Sequence, residues 1–222
     1  MKFNKILPLI LCTSLFLASA CTKKSENGEN QGDATSDHPV AVQATPTANA
    51  SQTPGDNSAD LTVDNNGLSK TTVVVKTSKG VLKFKFYAKD APNTVKRFVE
   101  LVQQKFYNGL SFHRVVDGFV AQTGDPKSRN KSDPTIGTGG SGQKLKAEFN
   151  SRKHIRGTVA MARSADVDSA DSQFYFTRGV FPHLDEKYTV IGHVVDFGEK
   201  VGDKDVLDRI SQGDDLVEIT LE

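Results

Sequence analysis

From Val81 to Phe86 the chain reads Val-Leu-Lys-Phe-Lys-Phe, which puts Leu82, Phe84 and Phe86 on one side and Lys83 and Lys85 on the other. A two-residue alternation suits a strand with one face in a core and one in water, and a helix would scatter those three apolar side chains. The preceding run, Thr71 to Thr77, is rich in β-branched residues, and Ser78-Lys79-Gly80 supplies turn chemistry between the two. An antiparallel hairpin is therefore predicted at the start of a folded unit.

The period then changes. Val95, Phe98, Val99 and Val102 recur at helical spacing behind Pro92, with Asp90 available as a cap, so an amphipathic helix is predicted there. Short apolar segments follow at Phe112–Val115, Phe119–Gln122, Thr158–Ala162, Gln173–Thr177 and Thr189–Val195, separated by Gly, Asp, Ser and Asn. A second helix is predicted at Asp203–Ser211, with Gly213 past its end, and a last strand at Leu216–Leu221. Many short strands, helices near the ends and no βαβ rhythm indicate a mainly β fold, an antiparallel barrel.

This pattern does not extend to the N-terminus. All Tyr, and all Phe except Phe3 and Phe16, lie beyond residue 68. Residues 22–68 contain no aromatic and no Ile, and are rich in Ser, Thr, Asn, Asp, Gly, Ala and Pro. Such a stretch cannot bury enough apolar surface to offset chain entropy, so 21–68 reads as a disordered tether and 69–222 as the one folded domain. Residues 1–20 read as a signal peptide: Lys2 and Lys5 precede an uncharged run from Ile6 to Ala20, shorter than the roughly 20 residues of a transmembrane helix. Ala18-Ser19-Ala20-Cys21 is similar to the lipobox of bacterial lipoproteins. Lipidation at Cys21 would anchor the domain to a membrane of a bacterial envelope, outside the cytoplasm. Plain secretion, with Cys21 an idle thiol, is the alternative. Cys12 leaves with the signal, so the mature chain has no second cysteine for a disulfide.

Several chemistries find no support. A formal net charge of +1 gives no chain-wide basic field for nucleic acid. Gly137-Thr-Gly-Gly-Ser-Gly142 matches a dinucleotide-binding string but lacks the preceding strand and following helix, so it reads as a surface loop. Asp166-x-Asp168-x-x-Asp171 lacks the glycine and glutamate of a calcium loop, and His113, His154, His183 and His193 show no metal-ligand spacing. No cofactor and no metal are expected, and no Ser sits in a G-x-S-x-G elbow.

One ordered series carries a positive signal: Phe112-His-Arg-Val-Val116, Gly118-Phe-Val-Ala-Gln-Thr-Gly-Asp125, Ala147-Glu-Phe149, Gly157 to Arg163, Ser172-Gln-Phe-Tyr-Phe176 and Leu184 to Gly192. It resembles the cyclophilin family of peptidyl-prolyl cis/trans isomerases, in its bacterial form, along residues 71–222. The resemblance implies a closed eight-stranded antiparallel β-barrel flanked by two α-helices, with an outer groove for X-Pro peptides. Position by position, it makes Arg114 the catalytic guanidinium, with Phe119 and Gln122 completing the catalytic set. Phe119, Val120, Met161, Tyr175 and Leu184 would form or support a proline pocket. Ala162, Arg163 and Gln173 would line the peptide groove, with His113, His183 and Tyr188 also touching substrate. The chain departs from the family at His183, where many relatives have Trp, and at Tyr188, where many have His. Val120 and Tyr175 replace a commoner Met and Phe.

The residues suit that chemistry by themselves. Rotating an X-Pro amide breaks no σ bond but must overcome roughly 18–20 kcal/mol of lost resonance. A fixed guanidinium can favour the twisted amide, whose nitrogen regains its lone pair, and an apolar pocket can orient the ring. The expected partners are unfolded or partly folded X-Pro polypeptides, met by a single chain acting alone. The alternative is a cyclophilin-shaped binding module without turnover. If Asp117-Gly118 formed a two-residue hairpin turn, Arg114 would face Ala121; a longer loop is needed to bring it to Gln122.

Overall fold

The computed structural model describes residues 65–222, so the expected signal peptide, most of the tether and Cys21 lie outside the described residues. The first element, the single turn α1 (Asn65–Leu68), delivers Leu68 into the core, one position before the expected start of the domain.

The hairpin forms as its alternation demands. Strands β1 (Thr72–Thr77) and β2 (Gly80–Phe86) pair from Thr72 opposite Lys85 to Thr77 opposite Gly80, leaving Ser78-Lys79 as the turn. The Thr77 hydroxyl closes that turn, accepting from Lys79 N–H at 3.0 Å and donating to the Gly80 carbonyl at 2.9 Å. Leu82, Phe84 and Phe86 are buried. Helix α2 (Pro92–Gln103) buries Val95, Phe98, Val99 and Val102 as its period requires, and adds Thr94 and Leu101. Phe98 is the hinge of the aromatic core, with ring centroids 5.9 Å from Phe84, 5.1 Å from Phe174 and 4.9 Å from Tyr107.

Asp90 does not cap this helix. Ala91 holds the cap position without a side-chain bond, and Asp90 instead pairs with Arg152 at 2.8 Å. The N-terminus is closed from a distant loop by Glu148, whose carboxylate accepts from Asn93 N–H at 3.1 Å and from Thr94 N–H at 2.8 Å. A carboxylate suits this end, where backbone donors lack intrahelical partners.

The remaining strands are β3 (Leu110–Ser111), β4 (Arg114–Val116), β5 (Val120–Thr123), β6 (Thr158–Met161), β7 (Phe174–Thr177), β8 (Val190–Asp196) and β9 (Asp215–Leu221). All pairs are antiparallel, in the order β3-β9-β1-β2-β8-β6-β7-β5-β4. The result is a curled nine-stranded sheet of half-barrel form, where a closed eight-stranded barrel was expected. The expected strand Phe112–Val115 is broken: β3 pairs with β9 and β4 with β5, so the chain passes from one end of the ladder to the other through Phe112-His113. A side-chain bond joins β3 to β5, the neighbour of the other end, with the Thr123 hydroxyl donating to the Ser111 carbonyl at 2.9 Å.

The second expected helix shrinks to one turn, α3 (Val206–Arg209), capped by the Asp205 carboxylate on Asp208 N–H. Its far end is closed by the buried Arg178, which donates to the carbonyls of Leu207 and Ile210 and pairs with Asp117.

Candidate active site

The β4–β5 hairpin settles the register. Arg114 pairs with Gln122 and Val116 with Val120, so the connection is the three residues Asp117-Gly118-Phe119. Phe119 N–H donates to the Val116 carbonyl at 3.0 Å, and Gly118 takes a φ of 68°, a left-handed value that glycine adopts without steric cost. The extra residue is Phe119 itself, which leaves the ladder and packs edge-on against Phe181 at 4.8 Å and stacks on His183 at 6.3 Å. The Arg114 guanidinium lies 5.8 Å from the Phe119 ring centre, with Nη1 3.4 Å from the Gln122 amide oxygen.

Strands β5, β6 and β7 lie between two apolar layers. Phe174 and Phe176 enter the core, whereas Val120, Ala160, Tyr175 and Val190 form a second buried cluster on the opposite face, joined by Phe119, Ala162 and Tyr188. A hollow of about 240 Å³ opens there, walled by Phe119, Val120, Tyr175, Leu184 and Tyr188 and rimmed by Arg114, Gln122 and Arg163. A second hollow of about 470 Å³ shares Gln122, Ala162 and Arg163 with it and runs to Gln173 and the glycines 137, 139 and 140. The Arg163 guanidinium is tied down, donating to the Lys187 carbonyl at 3.0 Å and lying 4.8 Å from the Tyr188 ring centre.

A chain of amides fixes the rim. Gln122 donates to the Gln173 oxygen at 2.9 Å, and Gln173 donates to the carbonyls of Gly137 and Gly139 at 3.0 and 2.8 Å. That loop is held by Asp125, fully buried, which accepts from the N–H groups of Gly137, Gly139 and Lys127. A Cβ on Gly139 would lie 2.1 Å from an Asp125 oxygen, so only glycine lets the loop close so tightly. The glycine string is thus a loop, as expected, but one that lines the groove. Asp168 and Asp171 act as latches, accepting from the N–H groups of Ala147 and of Ser141 and Gly142.

Of the residues named from the sequence, Arg114, Phe119, Val120, Gln122, Ala162, Arg163, Tyr175, Leu184 and Tyr188 converge on the smaller hollow, and Gln173 on the larger. His183 stands beside Phe119 at the edge. Met161 points into the core, 2% exposed, and supports β6 from behind. His113 lies behind the rim with neither ring nitrogen hydrogen-bonded, and burial lowers its pKa against the opposing pull of Asp125. His154, Asp185, Asp125 and Phe181 were not foreseen. They come from three segments, Phe181 and Asp185 flanking one turn, with no shared spacing. The one available signal was Tyr175, since a buried phenol needs a partner for its hydroxyl. It finds His154 Nε2 at 3.1 Å, and burial raises its pKa. Among the described residues no group of three or more His, Cys, Asp or Glu is placed to hold a metal ion.

An apolar hollow with a guanidinium at its mouth thus lies on the outside of the curled antiparallel sheet. Residues 72–219 match the family described as cyclophilin type peptidyl-prolyl cis-trans isomerase, and the chain belongs to that family. A peptidyl-prolyl cis-trans isomerase of Helicobacter pylori (strain ATCC 700392 / 26695) is 43% identical over 150 residues, covering 66% of this chain and 85% of the relative. One from Synechococcus elongatus is 41% identical over 126 residues, covering 57% and 81%. The crystal structure of a cyclophilin type peptidyl-prolyl cis-trans isomerase from Cryptosporidium parvum superposes with a TM-score of 0.56 at 25% identity, covering 68% of this chain and 97% of that one. The enzyme class is peptidyl-prolyl cis-trans isomerase.

Proposed function

We propose that the domain isomerises X-Pro bonds of unfolded or partly folded exported proteins by holding the proline ring in the smaller hollow while Arg114 assists the twist of the amide. The observation that carries this reading is the placement of the Arg114 guanidinium at the mouth of that hollow, 5.8 Å from the Phe119 ring centre and bonded to Gln122. Phe119, Val120, Tyr175 and Leu184 offer the ring apolar contact, and Gln122 aims the donor. In the planar amide the nitrogen lone pair is delocalised into the carbonyl; at the perpendicular geometry it becomes a hydrogen-bond acceptor. A donor fixed beside it therefore lowers the twisted state more than the planar one, which is what acceleration requires.

The reading also includes place. Lys2 and Lys5, the apolar run to Ala20 and the small residues before Cys21 support export and lipid anchoring of the domain outside the cytoplasm. Slow X-Pro exchange, tens to hundreds of seconds when uncatalysed, is the barrier such an enzyme would remove for its clients. Cis-to-trans conversion of a short X-Pro peptide tests the activity. Concentration-dependent acceleration is expected, and binding of the peptide without acceleration would favour a docking module.

A further inference from the structure

His154 lies outside the hollow yet holds the segments that shape it. Its carbonyl accepts from Phe181 N–H at 2.7 Å and its own N–H donates to Asp185 Oδ1 at 2.8 Å, so both ends of the turn Pro182–Leu184, which carries the Leu184 wall, are bonded to one residue. Its side chain is fully buried, with Nδ1 3.1 Å from the same Asp185 oxygen and Nε2 3.1 Å from the Tyr175 hydroxyl. An ionised carboxylate only accepts, so Nδ1 carries the hydrogen and the Nε2 lone pair takes the hydrogen of Tyr175. Burial lowers the His154 pKa and keeps the ring neutral, as this arrangement needs. The groups facing it are Asp185, with Lys153 3.4 Å from its other oxygen, His183, Tyr175 and Tyr188.

We propose that Tyr175, His154 and Asp185 form a positioning relay that sets the width of the proline hollow by locking its floor, Tyr175, to its Leu184 wall. It rests on the reading of that hollow as the proline site. His154 touches no substrate and acts through the other two. A phenylalanine at 175 would fill the same space without the anchor, and leave a buried ring nitrogen unpaired. Protonation of His154 would place a hydrogen on Nε2 that the Tyr175 oxygen accepts, so the contact persists with its direction reversed.

The test is KM and kcat on one X-Pro peptide for wild type, Tyr175→Phe, Asp185→Ala, Asp185→Asn and the Tyr175→Phe/Asp185→Ala double variant, each checked for folding by circular dichroism. Tyr175→Phe and Asp185→Ala should each raise KM about fivefold, the effect of leaving one buried partner unmade, with kcat within twofold. The double variant should be little worse than the poorer single one, because residues of one network are not additive. Asp185→Asn keeps an acceptor oxygen and should restore a KM near that of wild type. Wild-type turnover with an unaltered KM in Tyr175→Phe would overturn the relay alone, as would losses that add or that fall on kcat. Absence of turnover in the wild type would overturn the isomerase reading and the relay's purpose with it.

Discussion

Arg114 and Gln122 sit directly opposite one another across the β4–β5 ladder, with Arg114 Nη1 3.4 Å from the Gln122 oxygen. That pairing exists only because the hairpin connection is three residues long, and the residue that lengthens it is Phe119. The loop that sets the register thereby also supplies an apolar wall next to the guanidinium.

The first prediction follows from the amide chain behind this pair. Gln173→Ala removes the acceptor that fixes the Gln122 amide, together with the two bonds to Gly137 and Gly139, and should lower kcat/KM at least about fivefold, the net worth of one such hydrogen bond, with a loss of stability of about 1–2 kcal/mol. Steady-state kinetics and thermal unfolding of the variant check both halves. Unchanged kcat/KM would mean that Gln122 needs no support.

Core packing gives a second. Phe98 touches Phe84, Phe86, Phe174 and Tyr107 and is 1% exposed. Phe98→Ala should destabilise the domain by about 3–5 kcal/mol, the range for large buried aromatics. Urea unfolding measures this, and a loss under about 1 kcal/mol would mean that α2 is not bound through this ring.

Stability should also fall in mild acid. The pKa values of His113 and His154 are both lowered in the folded protein from the ordinary 6.5, chiefly by burial. The unfolded chain therefore binds more protons than the folded one between those values, so stability is complete above about 6.5 and is lost as pH falls through the folded values. Thermal unfolding from pH 8 to pH 5 should show a falling midpoint. A midpoint that stays flat or rises in that window would contradict it.

Much of this was legible in the sequence, for reasons visible in particular residues. Leu82, Phe84 and Phe86 have one face in a core and one near water, so their alternation was plain; α2 has a clear helical period. The β5–β6–β7 region was harder, because the second apolar cluster around Tyr175 buries both faces and erases alternation. The break at Phe112-His113 was hidden because two strands with different partners run on in one apolar segment. Cap assignment failed at Asp90 because Glu148, distant in sequence, reaches the α2 terminus first. The residues that line the hollow were legible as ordered motifs, whereas His154 and Asp185 meet through contacts between separate segments.

Anchoring supplies a fourth prediction. Under the proposed lipid anchor, Cys21→Ala should abolish labelling by fatty acid and release the protein from membranes, while turnover of a soluble X-Pro peptide is unchanged, because acyl chains rather than the domain would hold it there. Wild-type protein that takes up no labelled fatty acid would remove the lipid anchor.

The measurement that bears most directly on the mechanism is kcat/KM for X-Pro isomerisation by Arg114→Ala, alongside circular dichroism. Arg114 is exposed, so the fold should persist. Activity should drop by roughly 10²–10³, the effect of removing one preorganised transition-state donor. Arg114→Lys should recover only part of it, since an ammonium keeps the charge but not the planar fork. A folded Arg114→Ala protein with near-normal turnover would contradict the assigned role and leave isomerisation to the apolar hollow alone.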